Sequence, residues 1–467
     1  MIDSLRSFRK SLLLFSKIGI VAALVIGFYF TWENNYYRTE FFYFKGNLLL
    51  VFLYLVILVS FLMIYNAMKY GILRLSEIIY SYALALFMTN LVSYIVLLLV
   101  ARGLVPILPI VFLSIYQLLF AAVASYFVNK LYFFLYPARE VLVIRPIDAN
   151  PLRLIRKMQL KKDRYKIKAV VSEEMPVKRL EQSILEYQSV LICDIRPELR
   201  AELLEFCALH KKRVYITPTP EDVLIKNANE TQVFDTPLYY CKNSGLSTEN
   251  QFTKRIMDVL IAAIGGILLS PIILLTAIAI KLDDRGPVFY KQARLTKNGK
   301  VFNLIKFRSM VVDAEKGGAQ LAEQNDNRIT KVGNFIRKVR IDELPQILNV
   351  LRGDMSIVGP RPERPEIASQ YESLYPEFKL RLQVKAGLTG YAQIYGKYNT
   401  TPWDKLLMDL MYIESYSIIQ DFRLILLTVK VLFMPESTEG IEEGSTLPVD
   451  LEEHEKEEKQ APDSSEE

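Results

Sequence analysis

Asp342 and Glu343 stand side by side at the head of the stretch Arg340 to Pro362, which reads R-I-D-E-L-P-Q-I-L-N-V-L-R-G-D-M-S-I-V-G-P-R-P. The pair opens a short apolar-patterned helix that closes at Arg352-Gly353, and Arg361 follows, clamped between Pro360 and Pro362. Carboxylates and guanidinium groups this close in sequence point to phosphate chemistry. A helix cap is an equally ordinary role for Asp342, since Asp is a favoured capping residue. The segment alone leaves both roles open.

More cations lie upstream: Gly286-Pro287-Val288-Phe289-Tyr290-Lys291-Gln292, then Lys306-Phe307-Arg308-Ser309-Met310, Asp326-Asn327-Arg328-Ile329-Thr330, and Val332 to Arg340. Each alone reads as a solvated surface; their convergence on one carboxylate pair reads as a phosphate site. The histidines are His210 and His454 alone, the second in the acidic tail, which argues against a His-based triad or a two-histidine metal site and leaves polar chemistry to carboxylates, Lys, Arg and Tyr. Cys193, Cys207 and Cys241 lie far apart with no C-x-x-C spacing, so neither a disulfide framework nor a zinc site is expected.

The elements that must position these groups belong to a membrane protein. The chain has 467 residues, is 51% hydrophobic and carries a net +6. From Met434 to Glu467 there are thirteen acidic side chains against Lys456 and Lys459, a net of −11, so the remainder carries +17. The body is basic and the tail is a solvated acidic strand. Nucleic acid is not an expected partner.

Four apolar stretches, about Leu12 to Thr31, Leu48 to Tyr65, Ile78 to Ala101 and Val105 to Tyr136, are near or above the roughly 20 residues that a spanning helix needs. Arg6, Arg9 and Lys10 precede the first, Lys69 and Arg74 fill the second loop, and Lys130, Arg139, Arg145 and Arg153 follow the fourth. The other loops hold Arg38, Lys45 and Arg102, so the positive-inside rule places both ends in the cytoplasm. The spans are nearly free of ionisable groups, as an anchor requires and a transport pathway does not.

Between Glu140 and Cys241, short β-branched runs (Val141 to Ile144, Ile167 to Val171, Val190 to Cys193, Val214 to Ile216) alternate with amphipathic stretches such as Pro197 to Leu209. The alternation predicts a parallel sheet with crossover helices. The turn after the first run, Arg145 to Asn150, has no glycine, which argues against dinucleotide binding there and for a structural, dimerising or regulatory role.

A further apolar stretch, Ile256 to Ile280, is 25 residues long. Lys254-Arg255 precede it and Lys281, Arg285, Lys291 and Arg294 follow, so both flanks read as cytoplasmic. Ser270-Pro271 at its middle predicts a helix-break-helix hairpin that dips into one leaflet and returns, with the Ser270 hydroxyl serving a freed backbone group. The alternative is a kinked spanning helix. Asp258 is expected to pair with Lys254 or Arg255 at the hairpin mouth, or to be structural. Later, Trp403, Leu406, Leu407, Leu410 and Met411, then Phe422, Leu424, Ile425 and Val429, suit either the headgroup level or a core.

Lys254-Arg255 with Asp258, the Ser270-Pro271 break, G-P-V-F-Y-K-Q, K-F-R-S-M, R-I-D-E-L-P-Q, G-D-M-S-I-V-G-P-R-P and Gly387-Leu388-Thr389-Gly390-Tyr391-Ala392-Gln393 occur in one order. In these seven motifs the chain, over about Phe252 to Phe433, resembles the bacterial polyprenyl-phosphate hexose-1-phosphate transferases, and its N-terminal part resembles the long form of that family.

The resemblance implies transfer of hexose 1-phosphate from a UDP-hexose to undecaprenyl phosphate, with UMP release, at the start of capsule, exopolysaccharide or O-antigen synthesis. Asp342 would be the nucleophile and form an aspartyl-phosphosugar. Glu343 would help position Mg2+, with Asp342 and Glu343 as its ligands. Lys306, Arg308, Arg328, Arg340, Arg361 and Gln393 would contact substrate. A homodimer in the bacterial plasma membrane is expected, multi-pass with the catalytic part on the cytoplasmic face, and downstream glycosyltransferases are further candidate partners.

The expected fold class is therefore a mixed membrane protein. It has a four-helix transmembrane bundle (1–138), a Rossmann-like α/β domain without glycine fingerprint (139–241) and a linker (242–250). An α-rich catalytic domain follows (251–433), with a re-entrant membrane helix hairpin (254–282), then an acidic disordered tail (434–467). Two rivals remain at this point: a non-catalytic membrane scaffold for polysaccharide assembly, against which the intact Asp342-Glu343 pair stands, and an NAD-dependent nucleotide-sugar dehydratase, against which the missing glycines stand.

Overall fold

The computed structural model describes residues 8–36, 44–147, 152–241, 245–311, 328–396 and 400–432. The acidic tail 434–467, residues 148–150 of the glycine-free turn, 242–244 of the linker and Asp326-Asn327 lie outside the described residues. The chain forms two compact units, one within Met1–Thr217 and one within Pro218–Ile441.

The first unit begins with α1 (Arg9–Asn35), α2 (Phe44–Ile64), α3 (Leu75–Ala101) and α4 (Leu108–Leu135), each of them long and apolar enough to cross a membrane. They pack side by side, α1 on α2 and α4, and α3 on α2 and α4. Large apolar side chains such as Phe15, Leu49, Leu99 and Phe127 face outward, while the interior holds a polar knot. Tyr54 Oη donates to Asn90 Oδ1, Asn90 Nδ2 donates to Ser114 Oγ and Gln117 Oε1, and Gln117 Nε2 donates to the Leu24 carbonyl, so the knot ties all four helices. Apolar outside and hydrogen-bonded inside is the arrangement that hydrocarbon, which offers no partner to a polar group, imposes.

Next comes a sheet of β1 (Arg139–Arg145), β2 (Tyr165–Ser172), β3 (Ser189–Ile192) and β4 (Arg213–Ile216), all parallel in the order β2-β1-β3-β4. Helices α5 (Leu152–Gln159), α6 (Val177–Glu186) and α7 (Pro197–Leu209) connect the strands. Side chains alternate across β1 and β3: Leu142, Ile144, Val190 and Ile192 pack on Leu180, Ile184 and Leu203, while Val141, Val143 and Leu191 pack on Ile155 and Met158. Burial on both faces explains why the strands read as continuous apolar runs.

The second unit starts with α8 (Pro220–Lys226), whose Val223 joins a core with Phe378, Leu406, Leu407 and Leu410, and an exposed hairpin of β5 (Asn229–Val233) and β6 (Thr236–Tyr240). Helix α9 (Thr248–Asp284) follows, then the antiparallel hairpin β7 (Phe289–Leu295) and β8 (Val301–Phe307), and α10 (Lys331–Lys338). A 3-10 turn over Ile341–Gln346 runs into α11 (Ile347–Arg352), which Gly353 ends in the left-handed conformation at φ 92°. β9 (Ser356–Val358) pairs in parallel with β10 (Gly387–Thr389), enclosing α12 (Pro365–Leu374) and a 3-10 segment over Pro376–Gln383 between them in sequence. α13 (Tyr391–Tyr395), α14 (Pro402–Glu414) and α15 (Ile418–Leu432) complete the unit.

The Ser270-Pro271 pair expected to interrupt the apolar stretch lies inside a segment that is helical over 37 residues, Thr248–Asp284. The proline cannot donate to the Ile267 carbonyl, but Ser270 Oγ does so instead at 2.7 Å, which removes the orphan that would have ended the helix. Around this point Ile264, Ile267, Leu268, Leu274 and Leu275 are exposed, whereas Ala262 packs with Val350 and Ile357, and Ile280 packs with Phe307 and Ile336. Of the two placements open for Leu406, Leu407 and Leu410 of α14, the structure has the core one.

Candidate active site

The carboxylate pair sits in the first turn of the 3-10 segment, but neither residue is its cap. That position belongs to Arg340, a non-glycine residue at φ 56°, ψ 23° with no side-chain capping bond. A residue in this left-handed region costs of order 1 kcal/mol, so the surrounding contacts must hold the turn. Asn349 supplies one such hold from inside α11. Its Oδ1 accepts from Ile305 N at 2.9 Å and its Nδ2 donates to Asn303 O at 2.8 Å, which staples α11 to the edge of β8.

That staple brings Lys306, near the end of β8, to the pair. Lys306 Nζ lies 3.5 Å from Glu343 Oε1, and Arg361 Nη2 donates to the same oxygen at 3.1 Å. Burial alone would push the Glu343 carboxyl up, but Arg361, Lys306 and Arg340 outweigh it and hold it at about 2. Asp342 goes the other way. Burial and the adjacent Glu343 charge raise its carboxyl, against the opposing pull of Lys306, Arg337 and Arg361. Burial likewise pushes the Lys306 ammonium down, against the attraction of Glu343.

The two carboxylates are thus differentiated: Glu343 is locked as an anion among cations, and Asp342 is the more basic oxygen. Beside them is a cavity of about 300 Å3 lined by Arg340 and Glu343 together with Ile261, Gly265 and Leu269 of α9, Ile425 and Val429 of α15, and Gln393. Gln393 Nε2 donates to the Leu388 carbonyl at 3.1 Å. A charged cluster therefore opens onto an apolar groove whose wall is the long apolar helix.

The structure thus brings together Asp342, Glu343, Lys306, Arg340 and Arg361, and sets Gln393 on the adjoining wall. Arg308 is buried over Gly286, where a Cβ would fall 2.0 Å from its Nη1, so a side chain there would displace the guanidinium. Arg328 is placed by its backbone: its carbonyl accepts from Val311 N at 2.9 Å.

Of the two roles open for Asp258, the structure has the structural one, and Lys254 takes another partner. Lys254 pairs with Asp421 of α15, not with Asp258, and both partners are buried. Tyr412 Oη donates to the other Asp421 oxygen at 2.8 Å. Asp258 Oδ1 accepts from Ile357 N at 3.0 Å, fixing β9, and Arg255 donates to the Val350 and Leu351 carbonyls at the end of α11. The reason is reach. Asp421 is 167 residues from Lys254 in sequence, and only the folded chain puts it there.

Sequence reading also missed Arg294, Asn349, Arg381 and Asp409. All four are polar residues in apolar surroundings, and nothing about their local spacing marks them.

Among the described residues, no group of three or more His, Cys, Asp and Glu side chains is placed to hold a metal. The two adjacent carboxylates suit Mg2+, which binds through one or two carboxylates and completes its shell with water and substrate phosphate.

Fold and site together define a membrane protein with a carboxylate–cation cluster set against an apolar groove. Residues 249–435 match the bacterial sugar transferase family. Three relatives give the scale of the likeness. A UDP-N-acetylgalactosamine-undecaprenyl-phosphate N-acetylgalactosaminephosphotransferase of Aeromonas hydrophila is 38% identical over 239 residues, 50% of this chain and 54% of that one. A UDP-glucose:undecaprenyl-phosphate glucose-1-phosphate transferase of Escherichia coli K12 is 42% identical over 198 residues, 41% of this chain and 42% of that one. A protein of the same name from Caulobacter vibrioides is 39% identical over 189 residues, 39% of this chain and 71% of that one. The chain thus spans about half the length of the first two relatives, and it belongs to the bacterial sugar transferase family.

Proposed function

We propose that this chain is a phosphotransferase that moves a sugar 1-phosphate from a UDP-sugar to undecaprenyl phosphate. The observation that carries the reading is the placement of a half-buried carboxylate pair, ringed by Lys306, Arg340 and Arg361, on an apolar groove walled by α9. One substrate is a doubly charged diphosphate and the other carries a phosphate on a hydrocarbon chain. The cluster suits the phosphates, and the groove suits the chain.

In the first displacement an Asp342 oxygen attacks the sugar-bearing phosphorus. The bond from that phosphorus to the oxygen bridging to UMP breaks, UMP leaves with the electron pair, and Asp342 holds the phosphosugar as an acyl phosphate. In the second, an oxygen of undecaprenyl phosphate attacks the same phosphorus and the Asp342 carboxylate departs. Burial beside Glu343 raises the basicity of Asp342, which favours attack. Arg361, fixed by its prolines, and Lys306 receive the charge on phosphate oxygens. Asp342 and Glu343 would hold Mg2+, whose role is to screen the anions that meet there.

The orientation belongs to the same proposal. Basic residues at both flanks of α9 favour a re-entrant helix with both ends cytoplasmic. The exposed apolar band around Pro271 then lies in one leaflet, and the active site lies at the cytoplasmic surface of a multi-pass protein. Membranes containing the protein, given Mg2+, undecaprenyl phosphate and UDP-glucose, UDP-galactose or UDP-N-acetylgalactosamine, should release UMP with at least one donor. No release with any UDP-sugar from wild-type protein would sink the reading.

A further inference from the structure

The loop that presents Arg361 is held more firmly than its prolines require. Four successive carbonyls, Pro360 to Glu363, each have a donor. Gly387 N–H reaches Pro360 O at 2.9 Å, Arg381 Nη2 reaches Arg361 O at 2.9 Å, Arg294 Nη1 reaches Pro362 O at 2.9 Å, and Leu295 N–H reaches Glu363 O at 3.0 Å. Two of the four donors are side chains, and neither contacts the carboxylate pair in this arrangement.

Arg381 is the deeper of the two. It is 3% exposed, and Asp409 of α14, at 1%, accepts from its Nε at 2.9 Å and lies 2.7 Å from its Nη2. Its Nη1 is 3.6 Å from Glu363 Oε1. One planar guanidinium therefore ties the α14 core to the loop through a carboxylate, a backbone carbonyl and a second carboxylate. Arg294 is itself fixed through Nε and Nη2, both donating to Gln292 Oε1 at 3.1 and 2.6 Å. This arrangement is specific to arginine, because a lysine nitrogen cannot span such a fork.

We propose that Arg381, anchored by Asp409, and Arg294 are positioning residues that aim Arg361 at Glu343 and the substrate phosphates. The inference rests on the phosphotransferase reading above. Neither residue touches the reacting atoms; each acts by fixing a carbonyl of the Arg361 loop.

A double-mutant cycle on UMP release separates this role from a merely structural one. With whichever UDP-sugar the wild type turns over, Arg381→Lys should lower kcat/KM by roughly tenfold to a hundredfold, the scale of a small misplacement of a catalytic group. In an Arg361→Ala background the same change should cost less than about threefold, because there is no guanidinium left to aim. Arg294→Gln, which leaves the buried Arg381–Asp409 pair intact, should behave the same way and decides the matter if Arg381→Lys does not fold. Equal losses in the two backgrounds, with an active wild type, would overturn the positioning role and leave the phosphotransferase reading standing. A wild type that releases no UMP would instead fail that reading itself.

Discussion

Asp342 and Glu343 are neighbours in sequence and opposites in environment. Glu343 is held at about 2 by Arg361, Lys306 and Arg340 in spite of its burial, so it stays an anion throughout the working range. Its ordinary value is 4.5, and the sign follows from that difference. The depressed carboxylate contributes stability that is complete above pH 4.5 and is lost as pH falls toward 2. Glu343→Gln should therefore flatten the fall of Tm with pH across that window; an unchanged slope would show that the ion pairs carry no such linkage. Asp342 shifts upward through burial and its neighbour's charge, and in the proposed role of nucleophile it must be ionised. The acid limb of the rate profile should accordingly lie above the ordinary aspartate range, with activity rising as pH rises through it. A profile flat down to ordinary carboxylate values would contradict this assignment.

At the scale of elements, the helix α9 is where sequence and structure part most instructively. The apolar run, its cationic flanks and the Ser270-Pro271 pair were all legible, and so was a role for the Ser270 hydroxyl at a freed backbone group. Which carbonyl it serves, that of Ile267, and that the helical pattern runs on past Pro271, only the fold shows. The re-entrant proposal makes a topological prediction. In a background lacking the exposed Cys241, single cysteines introduced as Thr248→Cys and Lys300→Cys should both react with a membrane-impermeant thiol reagent from the cytoplasmic side. Reaction from opposite sides would establish a spanning helix. Gly353 makes a smaller prediction at the same scale. At φ 92° it ends α11 behind the carboxylate pair, so Gly353→Ala should cost about 1 kcal/mol, read as a lower Tm.

For the molecule as a whole, what was legible was what is local. Apolar runs marked α1 to α4 and the strands of the parallel sheet, because burial on every side leaves an uninterrupted pattern. The order of the motifs marked Asp342, Glu343, Lys306 and Arg361, which the fold then brings together. Long-range pairs were not legible. Lys254 with Asp421 and Arg381 with Asp409 are buried ions whose partners come from other helices, and in one dimension each reads as a solvated charge on an amphipathic face. Arg308 and Gly286 show the same limit, since only the fold reveals that the guanidinium lies against the bare Cα.

The whole-molecule claim is that a membrane-held carboxylate attacks phosphorus, and the most direct test is UMP release by wild type and Asp342→Ala side by side. Both are assayed in the same membranes with UDP-sugar, undecaprenyl phosphate and Mg2+. The account predicts steady release by wild type and a rate at least about a thousandfold lower for Asp342→Ala, as the loss of a nucleophile requires. Release by Asp342→Ala at the wild-type rate would contradict it.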